Sequence, residues 1–152
     1  MRGDRVVAEN RRARHDFSIE ESVEAGLVLT GTEIKSLREG RVNLRESHGF
    51  IQHGEAWLYG MHIAPYEQGG LFNHDPMRPR KLLLHQRQID ELYAKVRQQG
   101  YTLVPLRVYI RDGRAKVELA LAKGKHEYDK RRALAEREAK RRMQRAEKSF
   151  GR

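Results

Sequence analysis

The sequence predicts a mainly β protein: a small antiparallel barrel with flanking α-helices and a basic C-terminal tail. Short apolar stretches alternate with turn residues along the central part of the chain, one long segment has helical apolar spacing, and the last thirty residues are strongly cationic. About six strands and two helices favour a closed or partly closed barrel, because closure removes exposed strand edges. The oligonucleotide-binding barrel is our first choice among such folds.

The N-terminal segment is polar and rich in arginine, which predicts a flexible basic lead-in over residues 1–14. It lacks the apolar run of a secretory signal. The pattern changes after this segment, where Phe17 and Ile19 alternate with polar residues and residues 26–29 are mostly apolar. This pattern predicts the first strand.

A short helix and a hairpin are predicted next. Residues 31–33 open the helix and Gly40 ends it, because glycine is common just after the last helical turn. In the hairpin, residues 50–51 and 57–63 form the two arms around a turn at 53–55. Four residues of the second arm are expected to share one face: Trp57, Tyr59, Met61 and Ile63.

The rest of the domain contains a loop, the longest predicted helix and a second hairpin. Three prolines and a glycine pair predict a long mobile loop over residues 64–79. Gly100 ends the helix that follows, and strands at 103–110 and 116–122 are joined by a turn at 111–114. The helix is predicted from apolar residues at the spacing i, i+3, i+4, i+7: Ile89, Leu92, Tyr93 and Val96.

The positive charge of the protein is concentrated at its C-terminus. Residues 123–152 contain twelve lysines and arginines against five acidic residues, whereas the first 122 residues contain nineteen against sixteen. A cationic arm on a nearly neutral domain indicates nucleic acid as the partner, since each phosphate contact releases condensed counterions. We therefore expect a flexible N-terminus over residues 1–9, an RNA-binding barrel over 10–124 and a basic tail over 125–152.

The tail is expected to be disordered when free and helical when bound. Its residues from Ala133 onward are strong helix formers, but their apolar stripe is too thin to stabilise a free helix. Folding on a polyanion is therefore the better expectation. An amphipathic membrane helix is the competing interpretation, and the poor apolar face argues against it.

The composition excludes or disfavours several chemistries. There is no cysteine, which excludes disulfides, thiolate nucleophiles and cysteine-bound zinc. The seven histidines lack metal-site spacing, and Gly124-Lys125 lacks the serine or threonine of a phosphate-binding loop. Acidic residues lie among basic ones, where ion pairing is commoner than acid–base catalysis. We expect no cofactor, no metal, no membrane span and no enzymatic activity in a monomeric, cytoplasmic protein.

Two polar segments have residue types suited to RNA. Over residues 10–17, three arginines, an amide, an imidazole and a phenyl ring could bind phosphates and stack on an unpaired base. A solvated basic terminus explains that segment equally well. Over residues 31–38, Lys35 and Arg38 lie on one side of a helical turn, where they could straddle a phosphate or face solvent. Glu24 could accept from a base amine or a ribose hydroxyl, or hold an arginine in place.

Two further segments combine basic residues with other features. The leucine run within residues 80–85 is expected in the core, and an exposed leucine against a flipped base is the minor alternative. Gly124 is expected to end the last strand and to free the basic residues that follow it.

Taken together and in this order, these segments resemble the small protein B family, the SsrA-binding proteins of bacteria. The resemblance runs from about Asn10 to Arg131, and the joint occurrence of its motifs is highly specific. The matching stretches are NRRARHDF at 10–17, EAG at 24–26, GTEIKSLR at 31–38, RKLLL at 80–84, GYTLVPL at 100–106, and AKGK at 122–125 followed by DKR at 129–131.

The resemblance implies an oligonucleotide-binding-type barrel that binds the tRNA-like domain of transfer-messenger RNA (tmRNA, or SsrA RNA) and enters stalled 70S ribosomes with it. It also implies that the tail occupies the 16S rRNA decoding centre and the empty message channel, and that elongation factor Tu and alanyl-tRNA synthetase are indirect partners through the RNA. The implied RNA-binding residues are Asn10, Arg11, Arg12, Arg14, His15, Glu24, Lys35, Arg38, Leu83 and Lys116. The implied ribosome-binding residues of the tail are Lys123, Gly124, Lys125, Tyr128, Asp129, Lys130 and Arg131.

Two departures from the family pattern lie in the tail. Arg132 stands where the family often has an acidic residue, and Leu134-Ala135-Glu136 replaces the usual Ile-Lys-Glu. Two other functions stand as alternatives. One is a generic RNA- or ribosome-binding barrel without a dedicated RNA, and the other is an RNA-processing enzyme that uses His15, Glu24 or Glu33.

Overall fold

A computed structural model describes residues 4–125 and 137–145 of the 152-residue chain. The strands that it describes are β1 (Arg5–Glu9), β2 (Phe17–Leu27), β3 (Val42–Asn43), β4 (His48–Gln52), β5 (Glu55–Tyr59), β6 (His62–Ile63), β7 (Arg80–Leu83), β8 (Thr102–Arg111) and β9 (Arg114–Gly124). The helices within residues 4–125 are α1 (Ala13–Asp16), α2 (Gly31–Arg38) and α3 (Gln86–Gln99), with a 3-10 helix at Glu67–Phe72.

Seven strands form one antiparallel sheet in the order β1-β8-β4-β5-β7-β2-β9. Strand β9 also pairs with the whole length of β8, from Arg111 opposite Arg114 to Thr102 opposite Ala122. This second pairing closes six of the strands into a ring and leaves β1 on the outside of β8. The predicted antiparallel barrel is confirmed.

The interior of the barrel contains the main core, to which β9 contributes Val117, Leu119 and Leu121. A smaller core lies on the other face of β8 and β9, where Ala120 and Ala122 are covered by Ala13 of α1. Strands β8 and β9 are therefore buried on both faces near their α1 end, and this explains their nearly continuous apolar sequence.

Two turns and the longest helix agree with the sequence. The hairpin turns His53-Gly54 and Asp112-Gly113 have consecutive positive φ angles, 51° and 74° in the first and 51° and 73° in the second. Such turns match the twist of the strands that they connect. The helical spacing is confirmed by α3, which buries Ile89 and Leu92 and ends at a left-handed glycine.

The lead-in expected to be flexible is ordered from Arg5 onward. Residues Arg5–Glu9 pair with β8, and the guanidinium of Arg5 donates to the carbonyl oxygen of Arg38 at the end of α2. Val7 and Ala8 pack against the main core. Sequence alone did not predict this strand, because its apolar stretch is short and its partner lies about a hundred residues away.

The second arm of the first hairpin was predicted wrongly. Strand β5 ends at Tyr59, and Gly60 adopts a φ of 78° before the separate strand β6 begins. This break changes which residues point into the barrel: even-numbered residues do so before it and odd-numbered residues after it. The side chains inside the barrel are Ala56 and Leu58 before the break and Met61 and Ile63 after it, so Trp57 and Tyr59 do not share a face with the last two.

Further differences concern the strand count and the loop. The described residues form nine strands rather than about six, because β1, β3 and β6 are short and pair with distant partners. Residues 64–79 contain the 3-10 helix and several specific contacts. The side-chain oxygen of Asn73 accepts from the backbone nitrogen of Tyr66 at 3.1 Å, and its amide nitrogen donates to the carbonyl oxygen of Tyr66 at 2.6 Å. The ring nitrogens of His74 form hydrogen bonds with the hydroxyl of Thr32 and with the carbonyl oxygen of Ile63, each at 2.9 Å.

Residues 137–145 are helical and exposed throughout. This agrees with the helix-forming composition of the tail and with its thin apolar stripe. That the tail is disordered when free remains a prediction. Four of the implied ribosome-binding residues lie outside the described part of the chain, as do the departures from the family pattern: Tyr128, Asp129, Lys130, Arg131, Arg132 and residues 134–136.

Candidate nucleic-acid interface

A groove of about 370 Å³ runs beside α2, between the ends of β2 and β7 and the β8–β9 turn. We call it the α2 groove. Leu27, Ile34 and Leu37 contribute apolar atoms to it, while Arg38 and Lys116 add positive charge. Its complete lining is residues 26–29, Ile34, Leu37, Arg38, Leu83, Ile110 and residues 113–116. Apolar walls edged by cations suit an unpaired base together with its phosphates.

A second cleft, of about 640 Å³, adjoins the α2 groove and includes Glu24. Gly26, Leu83 and Lys116 line both concavities. The leucine run of residues 80–85 was expected in the core, with an exposed leucine as the minor alternative. Leu82 is buried as expected, whereas Leu83 is 55% exposed and matches the alternative. A Cβ on Gly26 would lie 3.3 Å from that of Leu83, so the glycine leaves room for the leucine side chain.

Glu24 holds an arginine in place. Its carboxylate accepts from the guanidinium of Arg111 at 2.5 Å and from the hydroxyl of Tyr109. Arg111 also bonds Asp4 twice, at 2.8 and 2.6 Å, and this interaction lowers the pKa of Asp4. Burial and the Glu24 carboxylate raise the pKa of Tyr109, so its hydroxyl remains a donor. Of the three roles considered for Glu24, the structure shows this positioning one.

Lys35 and Arg38 do not converge on one point. Arg38 lines the α2 groove, whereas the ammonium of Lys35 lies 5.3 Å from the ring centroid of Tyr66. Both side chains belong to exposed residues. This agrees with the solvated helix face, with Lys35 held beside an aromatic ring of the 64–79 loop. That the two residues straddle one phosphate remains a prediction.

The segment 10–17 divides into structural and exposed residues. The amide nitrogen of Asn10 donates to the carbonyl oxygen of Pro105 at 3.0 Å, and Phe17 packs against the smaller core. Each group therefore has an internal partner, and a role in reading or stacking on a base remains a prediction. His15 is exposed and lies 3.0 Å from Asp16. The remaining members, Arg11, Arg12 and Arg14, are exposed.

Sequence reasoning missed a buried ionic cluster beneath the α2 groove. Glu33 accepts from Arg78 at 2.5 Å and from Arg80 at 2.6 Å, and neither Glu33 nor Arg80 has exposed surface. Burial alone would raise the pKa of Glu33, but hydrogen bonds from Arg78, the Thr30 backbone and Arg80 outweigh it and lower the pKa. A glutamate three residues after Thr30, as in a capping box, was the available sequence signal.

The described tail residues lie at the end of β9. The ammonium of Lys123 lies 4.5 Å from the ring centroid of Tyr101, and Gly124 ends the strand as predicted. Lys125 donates to the carbonyl oxygen of Arg14 at 3.0 Å. The tail therefore starts beside the arginines of the segment 10–17.

The three residues of the enzyme alternative do not form one site. His15 belongs to α1, Glu24 bonds Arg111, and Glu33 is enclosed with Arg78 and Arg80. Over residues 4–125 and 137–145, no group of three or more histidine or acidic side chains could hold a metal ion. None of the helices in these two stretches has the length and apolarity to cross a membrane.

Comparisons with known proteins agree on one family. The model of the family described as "SmpB protein" matches residues 7–149. The chain is similar to the SsrA-binding protein of Roseiflexus castenholzii, with 62% identity over 98% of this chain and 95% of the relative. It is also similar to that of Geobacillus thermodenitrificans, with 58% identity over 93% of this chain and 92% of the relative. A chain of the solved structure described as "tmRNA-SmpB: a journey to the center of the bacterial ribosome" matches with a TM-score of 0.66 and 53% identity, over 78% of this chain and 83% of that one.

Proposed function

The chain belongs to the SmpB family, whose model matches residues 7–149, and on this premise we propose that it binds tmRNA and delivers it to stalled ribosomes for trans-translation. The proposal depends on two observations together: the family to which the chain belongs and the groove on the surface of its barrel. Relatives that are about 60% identical are SsrA-binding proteins, and the barrel presents an apolar groove edged by cations. We propose that the protein acts as a binding factor in the cytoplasm and catalyses no reaction of its own.

The α2 groove and its adjoining cleft are the proposed contact with the tRNA-like domain of tmRNA. Leu83 supplies an exposed apolar surface for an unpaired base, and Arg38 and Lys116 supply positive charge for the neighbouring phosphates. Arg114, which sequence reasoning did not single out, also lines the groove. Glu24 acts indirectly, because its carboxylate fixes the position of Arg111.

The tail is the proposed contact with the ribosome. Residues 123–152 carry twelve basic against five acidic side chains, a charge suited to a channel lined by RNA. We propose that this segment occupies the decoding centre and the vacant message channel of the 70S ribosome. Elongation factor Tu and alanyl-tRNA synthetase then act on the same RNA without needing direct contacts with this protein.

Competition binding tests the proposal. Labelled tmRNA is bound to the full chain and challenged with unlabelled tmRNA or bulk tRNA at physiological salt. We expect tmRNA to compete far more effectively than tRNA. Equal competition would instead support the generic RNA-binding barrel.

A matched pair of variants tests the groove. Leu83→Ala removes the exposed leucine of the α2 groove, and we expect it to weaken tmRNA binding by about tenfold. Leu71→Ala is the control, because Leu71 is 99% exposed on the 3-10 helix and does not line the groove. Equal effects of the two changes would show that the groove is not the contact.

A further inference from the structure

The guanidinium of Arg111 is hydrogen-bonded to two carboxylates. Its Nη1 atom donates to Glu24 at 2.5 Å, and its Nε and Nη2 atoms donate to the two oxygens of Asp4 at 2.8 and 2.6 Å. We propose that Asp4 is an internal competitor of tmRNA: its carboxylate occupies the edge of Arg111 that binds a backbone phosphate of tmRNA, and the phosphate displaces it. This inference rests on the proposed function and adds to it a phosphate contact and the group that restrains that contact.

Asp4 binds Arg111 in the way that a phosphate would. Two hydrogen bonds join the Nε and Nη2 atoms of the guanidinium to the two carboxylate oxygens. Arginine presents the same planar edge to two phosphate oxygens when it binds RNA, because both groups are anions with paired acceptor atoms. The hydrogen bonds from Arg111 also lower the pKa of Asp4, so this carboxylate is ionised at neutral pH. One anion therefore has to leave before the other can bind this edge.

Arg111 keeps two supports when Asp4 leaves. Glu24 holds the Nη1 atom, and the hydroxyl of Tyr109 donates to the same carboxylate oxygen of Glu24. The guanidinium also contacts the face of the Tyr109 ring, with 5.3 Å between Cζ and the ring centroid. Tyr109 is buried in β8 and Glu24 belongs to β2, so both supports are fixed by the sheet. The Nε–Nη2 edge is therefore preorganised for another anion.

Asp4 can leave without opening the sheet. Strand β1 begins at Arg5, which is paired with Ile110, so Asp4 lies one residue beyond the end of this ladder. Strand β1 itself lies at the edge of the sheet. A residue just outside an edge strand moves at little cost in free energy, because few backbone hydrogen bonds hold it. The carboxylate is therefore an exchangeable partner of Arg111, whereas Glu24 is a fixed one.

Arg111 lies next to the surface proposed for tmRNA. The preceding residue, Ile110, lines the α2 groove, and Glu24 lines the adjoining cleft. The side chain of Arg111 is 42% exposed although it forms three hydrogen bonds, so a ligand can reach it. Arg111 is paired with Arg114 at the start of β9, whereas the tail begins at the opposite end of that strand, after Gly124. This placement favours tmRNA over ribosomal RNA as the source of the phosphate.

Substitution of Asp4 tests the competition against a control that is matched in charge. Asp4→Asn removes the carboxylate and keeps the size of the side chain. Glu67→Gln is the control, because it also removes an exposed carboxylate that pairs with an arginine, and Glu67 lines neither the α2 groove nor the adjoining cleft. Each variant of the full chain is titrated against purified tmRNA and, separately, against purified 70S ribosomes, at several salt concentrations. Thermal unfolding of each variant checks that the fold is intact.

We expect Asp4→Asn to tighten tmRNA binding by about threefold at low salt, because the phosphate no longer has to displace a carboxylate. Glu67→Gln should change this affinity much less. Arg111→Ala should weaken tmRNA binding and reduce the slope of log affinity against log salt by about 0.7 to 0.9. In the Arg111→Ala background, Asp4→Asn should have no larger effect than Glu67→Gln, since the group for which the two anions compete is gone. Binding to ribosomes should respond to none of these changes.

Equal effects of Asp4→Asn and Glu67→Gln on tmRNA binding would overturn the inference, as would a response of ribosome binding in place of tmRNA binding. Weaker tmRNA binding by Asp4→Asn would also overturn it, because Asp4 would then support Arg111 and not compete for it. Failure of this inference is distinct from failure of the proposed function. If Leu83→Ala weakens tmRNA binding while Asp4→Asn behaves like Glu67→Gln, the competition is wrong and the α2 groove stands. If the unmodified protein shows no preference for tmRNA over tRNA, the proposed function itself fails.

Discussion

Arg80 and Glu33 form an ion pair that is completely enclosed by the protein, with 2.6 Å between Nε and Oε2 and no exposed surface on either side chain. The same guanidinium donates to the carbonyl oxygens of Met61 and Pro76. Glu33 belongs to α2 and Arg80 to β7, the elements that contribute Arg38 and Leu83 to the α2 groove. The pair therefore fixes the two sides of the groove relative to each other.

The first prediction concerns the stability of this pair. Glu33→Gln leaves the buried guanidinium of Arg80 without a counterion, so we expect the free energy of unfolding to fall by about 3–5 kcal/mol. Urea denaturation measures it. Glu67→Gln is the control, because its pair with Arg41 is exposed and 3.4 Å long, and we expect a change below about 1 kcal/mol there. Equal stability of the Glu33→Gln variant and the unmodified protein would contradict the structural role of the pair.

The second prediction concerns acid. The pKa of Glu33 in the folded protein lies below its ordinary value of 4.5. The contribution of this carboxylate to stability is therefore complete above pH 4.5 and is lost as the pH falls through the lowered folded value. Denaturation midpoints measured from neutral pH into this acid range should fall more steeply for the unmodified protein than for Glu33→Gln. Parallel curves would show that Glu33 does not contribute to the acid sensitivity.

The third prediction separates two effects of glycine. Gly60 and Gly113 have similar φ angles, 78° and 73°, but a Cβ on Gly60 would lie 2.5 Å from the carbonyl oxygen of Glu46 while one on Gly113 would meet open space. Gly113→Ala should cost about 1 kcal/mol of unfolding free energy from the backbone conformation alone. Gly60→Ala should cost clearly more, because the backbone must also shift. Similar losses in urea denaturation would argue against the close approach.

The fourth prediction separates the two proposed contacts. Deleting residues 128–152 removes most of the basic tail and leaves every lining residue of the α2 groove in place. We expect tmRNA binding to remain nearly intact and peptide tagging on stalled ribosomes to be abolished. Filter binding measures the first and a reconstituted tagging reaction the second. If both activities fell together, the domain and the tail would not act separately.

Local signals in the sequence predicted the parts of the fold that depend on neighbours along the chain. The spacing of Ile89 and Leu92 located α3, and the glycines at 54 and 113 located the hairpin turns. Three features were not predicted from the sequence: strand β1, the change at Gly60 in which residues face the interior, and the Glu33–Arg80 ion pair. Each depends on a partner that is distant in sequence, and composition or periodicity carries no information about such partners.

The candidate site was predicted in a similar way. The family resemblance selected Glu24, Arg38, Leu83 and Lys116, and the structure places all four around two adjoining concavities. Residue chemistry alone left the roles of Asn10 and Phe17 open, because an amide and a phenyl ring suit RNA and suit internal packing equally well. Only tertiary contacts decide between these uses. That the selected residues bind RNA remains a prediction.

The two hydrogen bonds between Arg111 and Asp4 have a practical consequence for labelling this protein. An affinity tag inserted directly before Asp4 would lie next to the carboxylate that holds Arg111 in position. A tag placed within residues 123–152 would obstruct the segment proposed to enter the ribosome. The 3-10 helix, where Leu71 and Phe72 are almost fully exposed, is the better place for a dye or an epitope. A label at this position should leave both the Asp4–Arg111 contact and the basic tail unobstructed.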